Sequence, residues 1–434
     1  MDFARLIGRS FPRRISPAGA VFLLTAMSIL LGVIWMFQTR PMPFSDFYDY
    51  YNLAQDIVDH HQFGYPEPTA RRLPAYPALL AVALLVSRSF LWLGLVNIVL
   101  VSALVPAVHW LTRELTGHDR TALAAAALCA LNPTFVFFSP VFASEHLFVL
   151  LFISSVSASV WKRPGVTVRA VLAGGLLGLA LLTRGESVFY APVVLYGLWT
   201  SRGLGWRRRI ATVALASVVC VAVALPWAIR NRAVLGPGAG LSTSAGINFY
   251  YAHNPTQYGH HEIAEGPMAE AGEVERQRIG FHLAWDYLSV LPYRMFKDVV
   301  VGTRLLLWQP GNYALHAGLM VEKDGDDNRR VIHVQQRPYP GAARWLVAWF
   351  YRVLLICTVG SLFLYPQIGR RAATVLFGIV VMNWLCYSVV FWSKPRFRYV
   401  TEAVFCVLAG IVLTRVWDAA RRRVTRSQPG SPAP

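Results

Sequence analysis

The sequence predicts an all-α polytopic membrane protein of about ten transmembrane helices, on three observations. Of 434 residues, 55% are hydrophobic and 15% are charged, where soluble domains carry about 25% charged residues. Apolar runs of about 20 residues, the length that crosses a bilayer, recur along the whole chain. Lys and Arg gather in the short segments between those runs, as they do in cytoplasmic loops.

The first run, 18–37, follows Arg5, Arg9, Arg13 and Arg14. A secretory signal has an apolar core of about 7–15 residues, so the longer run suits an uncleaved anchor. Further spans are expected at 91–112, 121–141, 146–161, 170–183, 187–200, 210–229, 344–365, 372–392 and 400–418. Basic clusters at the N-terminus, 113–120, 162–169, 202–209, 370–371 and 421–426 alternate with these spans without conflict when all are placed inside. Both termini are then cytoplasmic. The segment 75–86 is too short to cross and follows a polar, Pro-rich run, which suits a helix lying in the interface. The loop 231–343 falls outside. Within it, 273–291 has helical periodicity, and 293–308 sets an apolar face against Arg294, Lys297 and Arg304, a second interfacial helix.

The division expected is a catalytic transmembrane module over 1–230 with its active site in the outer loop 38–90. A large outer loop follows over 231–343, then C-terminal spans over 344–420 and a disordered tail over 421–434. The 41 basic against 23 acidic residues reflect the inside bias and affinity for anionic membrane lipids. They lie in short loops without a stripe or module, which argues against nucleic acid. The five cysteines all fall within expected spans and give neither a disulfide framework nor metal-ligand spacing.

On this topology a set of ionisable residues lies on the outer side: Asp46 and Asp49 after the first span, Arg71 and Arg72, Glu145, Arg184 with Glu186, and Arg230 with Arg232. Ionisable groups beside a bilayer are costly and mark function by default. Arginine matches phosphate oxygens with paired donors, and a carboxylate can take a proton from a hydroxyl. Such a phosphate at a membrane surface belongs most naturally to a lipid. Each residue also has a plainer role. Asp46 suits a helix cap, Asp49 a first-turn dipole partner, Glu145 a capping position, and the arginines headgroup anchors. Outside arginines run against the inside bias, however, and that tilts them toward an anion. His260–His261–Glu262 lacks the i,i+4 spacing of a zinc site, so no metal site is assigned.

Seven segments then carry a resemblance: SDFYDYYNLA, EPTARRLPAYPALLA, ASEHLF, LALLTRGESVFYAP, LPWAIRNRAVLG, STSAGINFYYAHNP and KPRFRYVTEAVFCVLAG. In that order they resemble bacterial membrane glycosyltransferases of the protein O-mannosyltransferase type. These include the lipid A aminoarabinose transferases and have the C-type glycosyltransferase fold. The resemblance implies inverting transfer of a sugar from a polyprenyl-phosphate donor to a hydroxyl acceptor (glycolipid, cell-wall glycan or protein). The reaction would run on the periplasmic face of the bacterial inner membrane, without a nucleotide. No cofactor is required on this reading, with a divalent cation left open. By the same resemblance Asp46 is the base and Glu145 orients the acceptor or supports Asp46. Arg72, with Arg71 beside it, and Arg184 hold the donor phosphate, with Arg230 as a third contact. Tyr50, Tyr76, Asn248 and Asn254 shape the sugar pocket, and Asp49, one helical turn from Asp46, is placed with them. The chain is shorter than the lipid A and eukaryotic branches, which leaves the acceptor less defined than the donor. Two other classes use a similar site: a flippase for lipid-linked sugars, which needs polar residues inside its spans, and a membrane glycan polymerase.

Overall fold

The computed structural model describes residues 16–39, 43, 46–255, 268–308, 319–322, 333–336, 341–364 and 368–426. Among these, seven helices are long and apolar enough to cross a membrane: Pro17–Thr39, Phe90–Thr116, Val166–Thr183, Trp206–Leu235, Gly341–Leu362, Arg370–Val390 and Pro395–Arg422. The protein is a helical, multi-pass membrane protein. One two-stranded antiparallel ladder, Leu319–Glu322 with His333–Gln336, interrupts the helices within the long loop. The motif at 260–262, the basic N-terminus and the last eight residues lie outside the described residues. The final helix reaches Arg426, six residues into the tail expected to be disordered.

Three of the ten expected spans take other forms. The run 121–141 is broken between Asp119–Ala130 and Pro133–Phe138. Asn132 accepts a hydrogen bond from the Thr134 N–H, and Pro133 follows at a position where its missing N–H costs nothing. The run 187–200 is a 3-10 turn, Gly185–Tyr190, leading into a nine-residue helix, Ala191–Trp199. The run 146–161 is the Ser144–Val160 helix, apolar but 17 residues long. Elsewhere Pro106 explains a break. The Phe90–Thr116 segment is interrupted at Ala103, near the carbonyl at i−4 that a proline ring displaces.

Ser144–Val160 is buried on nearly every side. It packs on the Leu104–Thr116, Val166–Thr183 and Ala191–Trp199 helices. By contrast, Trp206–Leu235 turns Ile210, Val218, Val221, Leu225 and Ile229 outward, the apolar face that a bilayer covers. This helix runs close against Val166–Thr183. A Cβ on Gly174 would meet the Ala216 carbonyl oxygen at 2.3 Å. The last span is pinned internally by a buried ion pair, Arg398 Nε to Glu402 Oε1 at 2.9 Å, with both side chains almost wholly enclosed. Arg398 also covers the Tyr351 ring and donates to the Leu306 carbonyl, while Asn132 donates to Glu402. Glu402 is thus a charged residue inside an expected span, locked between helices.

The outer segments pack as a layer over one end of the bundle. Asp46–His60 lies against Ala75–Leu84, which buries Tyr76, Leu80 and Ala81 and exposes Val82. In the long loop, Ala245–Ala252 crosses Glu273–Val290 at backbone contact. A Cβ on Gly246 would sit 1.9 Å from the Gln277 carbonyl oxygen, and one on Gly280 would sit 2.7 Å from that of Gly246. Tyr293–Leu307 forms the helix expected there, with Asp298, Gly302 and Leu306 on its buried side. Asp298 meets His253 Nδ1 at 3.2 Å, and His253 Nε2 lies 3.1 Å from the Val389 carbonyl oxygen. The long loop is thereby tied to the π-turn Leu385–Val390.

Candidate active site

Each element of the outer layer delivers its charged residues to one cavity of about 580 Å³. Asp46 opens its helix, Glu145 lies in the first turn of Ser144–Val160, and Arg184 caps the end of Val166–Thr183. The segment before Ala75–Leu84 supplies Arg71 and Arg72, and the 3-10 turn Pro395–Arg398 supplies Arg396. The 69–71 segment is fixed from the long loop. Glu273 accepts from the Thr69 hydroxyl at 2.7 Å and the Ala70 N–H at 2.9 Å. The Ser244 hydroxyl donates to the Arg71 carbonyl at 2.6 Å.

Asp46 sits between two arginines. Its Oδ1 accepts from Arg72 Nη2 at 2.7 Å, and its Oδ2 from Arg396 Nη2 at 2.5 Å. Arg72 also pairs with Asp49 at 2.8 Å. Burial pushes the Asp46 carboxyl up, but the charges of Arg72 and Arg396 and their hydrogen bonds override it and hold it far below the usual carboxylate range. Deeper in, Glu145 is 3% exposed. Arg184 Nη1 stands 2.8 Å from its Oε1, and Arg396 Nε stands 3.7 Å away. Neither Glu145 oxygen accepts a well-aligned hydrogen bond among the described residues. Arg184 also reaches Glu186 at 3.2 Å and lies over the Phe397 ring. Tyr50 accepts from the Ser144 hydroxyl at 2.9 Å and lies beneath the Arg72 guanidinium.

Of the residues singled out in the sequence, Asp46, Tyr50, Arg71, Arg72, Glu145, Arg184 and Asn248 line this cavity. Asn248 is held there by a hydrogen bond from Trp392 Nε1 at 3.2 Å. Asp49 stands one shell back, on Arg72. The remaining three do not line it. Tyr76 is buried beneath the site, donating to Asn97 at 2.9 Å. Arg230 instead braces the outer loop. It donates to the Thr69 and Phe63 carbonyls at 2.8 and 3.1 Å and lies over the Trp227 ring, with the Phe63 ring beside it. Asn254 donates to the Tyr250 and Tyr251 carbonyls, closing the Ala245–Ala252 helix.

Three cations of the lining, Arg276, Lys394 and Arg396, carry no assignment from sequence. A signal existed for the last two. On the expected topology KPRFR stands at the outer end of its span, where the inside bias disfavours so much positive charge. Lys394 lies 4.1 Å from the Trp392 ring centroid. Burial, reinforced by the charge of Arg396, brings its ammonium down to about 8. Arg71, Arg72, Arg184, Arg276, Lys394 and Arg396 face Asp46, Glu145, Glu186 and Glu273 across the lining. The cavity is therefore net positive, with carboxylates set among the cations.

No protein-family model matches the chain. Among solved structures it is similar to the archaeal oligosaccharyltransferase AglB from Archaeoglobus fulgidus, in complex with an inhibitory peptide and a dolichol-phosphate. There the TM-score is 0.57 at 15% identity, over 96% of this chain and 52% of that one. The apo form of the Archaeoglobus fulgidus oligosaccharyltransferase gives 0.56 at 14% identity, over 97% and 53%. ArnT from Cupriavidus metallidurans bound to undecaprenyl phosphate gives 0.42 at 14% identity, over 95% and 82%. The chain spans about half the length of the two oligosaccharyltransferase chains. The likeness to those chains, over nearly all of this one, establishes a C-type glycosyltransferase fold.

Proposed function

We propose that this chain is an inverting membrane glycosyltransferase of the protein O-mannosyltransferase and aminoarabinose-transferase kind. It would take a sugar from a polyprenyl-phosphate donor and pass it to a hydroxyl acceptor on the periplasmic side of a bacterial inner membrane. Both termini would then be cytoplasmic. The observation that carries this reading is Asp46 held between Arg72 and Arg396 in a net-positive cavity, with Glu145 and Arg184 behind it. AglB, whose fold is similar, was captured with a dolichol-phosphate, which supports a lipid-phosphate donor here.

The chemistry follows from that arrangement. Donor phosphate oxygens are strong acceptors for guanidinium donors. A bound donor competes with Asp46 for Arg72 and Arg396 and weakens the clamp. Asp46 is thereby raised toward the basicity a general base requires. The acceptor hydroxyl passes its proton to Asp46 as its oxygen forms a bond to the anomeric carbon. The bond from that carbon to the phosphate oxygen breaks with its electron pair. The extra charge then appears on the departing polyprenyl phosphate, where Arg72, Arg396 and Arg184 stabilise it. Glu145, buried at the cavity wall with its oxygens lacking aligned donors, offers an acceptor for a substrate hydroxyl.

The test is transfer of labelled sugar from a panel of polyprenyl-phosphate donors in membranes carrying wild type or Asp46→Asn. Transfer by the wild type that disappears in an inserted Asp46→Asn protein supports the assignment. Movement of donor between leaflets without transfer by either protein would replace it with a flippase.

A further inference from the structure

A second large cavity lies at the other end of the bundle. It encloses about 690 Å³, and its lining sets Lys162, Arg169, Arg202, Arg370 and Arg371 against one carboxylate, Glu114. The helices themselves separate it from the candidate active site. Ser144–Val160 begins beside Glu145 and ends next to Lys162. Val166–Thr183 carries Arg169 in its first turn and ends at Arg184. Arg370–Trp384 starts at this cavity and leads into the π-turn bearing Tyr387, which lines the other one. From Arg169 to Arg184 the rise of about 1.5 Å per residue puts the two sites about 22 Å apart.

The tendency of loop cations to follow the inside bias and reach toward headgroups accounts for Lys162, Arg202 and Arg370, which are exposed. It does not account for Arg169, which is 7% exposed. Its guanidinium donates to the Trp161 carbonyl at 2.6 Å and to the Ser201 hydroxyl, and its Nε–H has no partner among the described residues. Arg371 is similarly held by neutral groups, Thr200 Oγ1 at 2.9 Å and the Gly197 carbonyl at 2.8 Å. Among the described residues neither makes an ion pair. Arg169 and Arg202 also act on Arg371 with like charge. Partly or wholly buried guanidiniums that repel one another and share the single carboxylate Glu114 as counter-charge are short of negative charge, which an anion would supply.

We propose that this cavity is a second, non-catalytic site for a phosphate-bearing anion. Guanidinium forks at Arg169 and Arg371 match phosphate oxygens. The first residues of two long helices, Val166 and Arg370, also line the wall, where helix N-termini favour negative charge. The shared chemistry is a phosphate group, carried either by a membrane headgroup or by a free solute.

The test uses the full-length protein in detergent, as wild type and as Arg371→Gln, which removes one of the two guanidinium forks held by neutral groups. Native mass spectrometry with phosphatidylglycerol, phosphatidylcholine and inorganic phosphate separates the sources. Phosphatidylglycerol binding at least tenfold weaker in the variant, with phosphatidylcholine unchanged, supports a headgroup site. A tenfold loss confined to inorganic phosphate supports a solute site. Anion binding equal in both proteins overturns the proposal. The candidate active site is untouched by the substitution and serves as the internal control. Glu114→Gln removes the one carboxylate of the wall and keeps an acceptor for the Lys162 N–H it now serves. It should strengthen binding severalfold, and unchanged or weaker binding would also overturn the proposal.

Discussion

Asp46 bears two guanidiniums, and the effect of replacing it depends on what those cations then do. Asp46→Asn leaves Arg72 and Arg396 in place for the proposed donor and removes the proposed base. Turnover should fall by about 10²–10⁴-fold, with donor affinity kept or improved, as equilibrium binding of labelled donor would report. Arg184 presents the opposite case. Its replacement by alanine strips Glu145 of its closer ion pair in a buried site and leaves Arg396 3.7 Å away, so the loss should fall below the about 3–5 kcal/mol of a fully broken buried pair. Arg184→Ala should therefore lower the melting temperature, and adding Glu145→Gln should recover most of the loss. An unchanged melting temperature in the single variant would mean that Glu145 is neutral or hydrated there. Lys394 supplies a pH dependence. With its ammonium brought down to about 8, it is charged below that pH and neutral above it. Donor affinity should then decline as pH rises from 7 to 9. Lys394→Arg, which keeps its charge throughout, should flatten that decline.

Among the elements, the crossing of Ala245–Ala252 over Glu273–Val290 is the most sensitive to small change. Gly246→Ala places a methyl group into the Gln277 backbone, so the helices must separate and carry Asn248 away from Trp392. The Michaelis constant for donor should rise with melting temperature lowered, while Gly272→Ala, with open space around it, should do neither. The same scale shows what a single sequence reveals. Long spans such as Trp206–Leu235 were legible, because apolar runs and basic flanks are local properties. The break at Asn132–Pro133 was written in the sequence too, as a cap followed by proline, but the apolar run around it concealed it. Asp46, Arg72, Glu145 and Arg184, which meet in one cavity, were legible as charges that the expected topology sets opposite the basic loops. Arg230 carried the same signal and is a brace, since only the fold decides whether an outer arginine meets a cavity or a loop carbonyl. Arg396 lies 350 residues from Asp46 along the chain, and no local pattern could have paired them.

At the scale of the whole molecule, charge is sorted to two ends. Single cysteines at Arg71 and at Arg202, both exposed, should label with a membrane-impermeant thiol reagent from opposite faces of intact and inverted vesicles. Labelling of both from one face would remove the proposed topology and with it the periplasmic active site. The Asp46 clamp has one more consequence. Water reaches any outward-facing cavity far more often than an acceptor does, and a permanently basic carboxylate beside an activated sugar would squander the lipid on hydrolysis. On the proposed mechanism the arginines that greet the donor are the ones that quiet Asp46, so before donor binds its carboxylate is a poor base toward water. The proposed catalyst would then be armed by its own cargo, and loosening the clamp from the Arg396 side should show first as leakage of free sugar rather than as faster glycosylation.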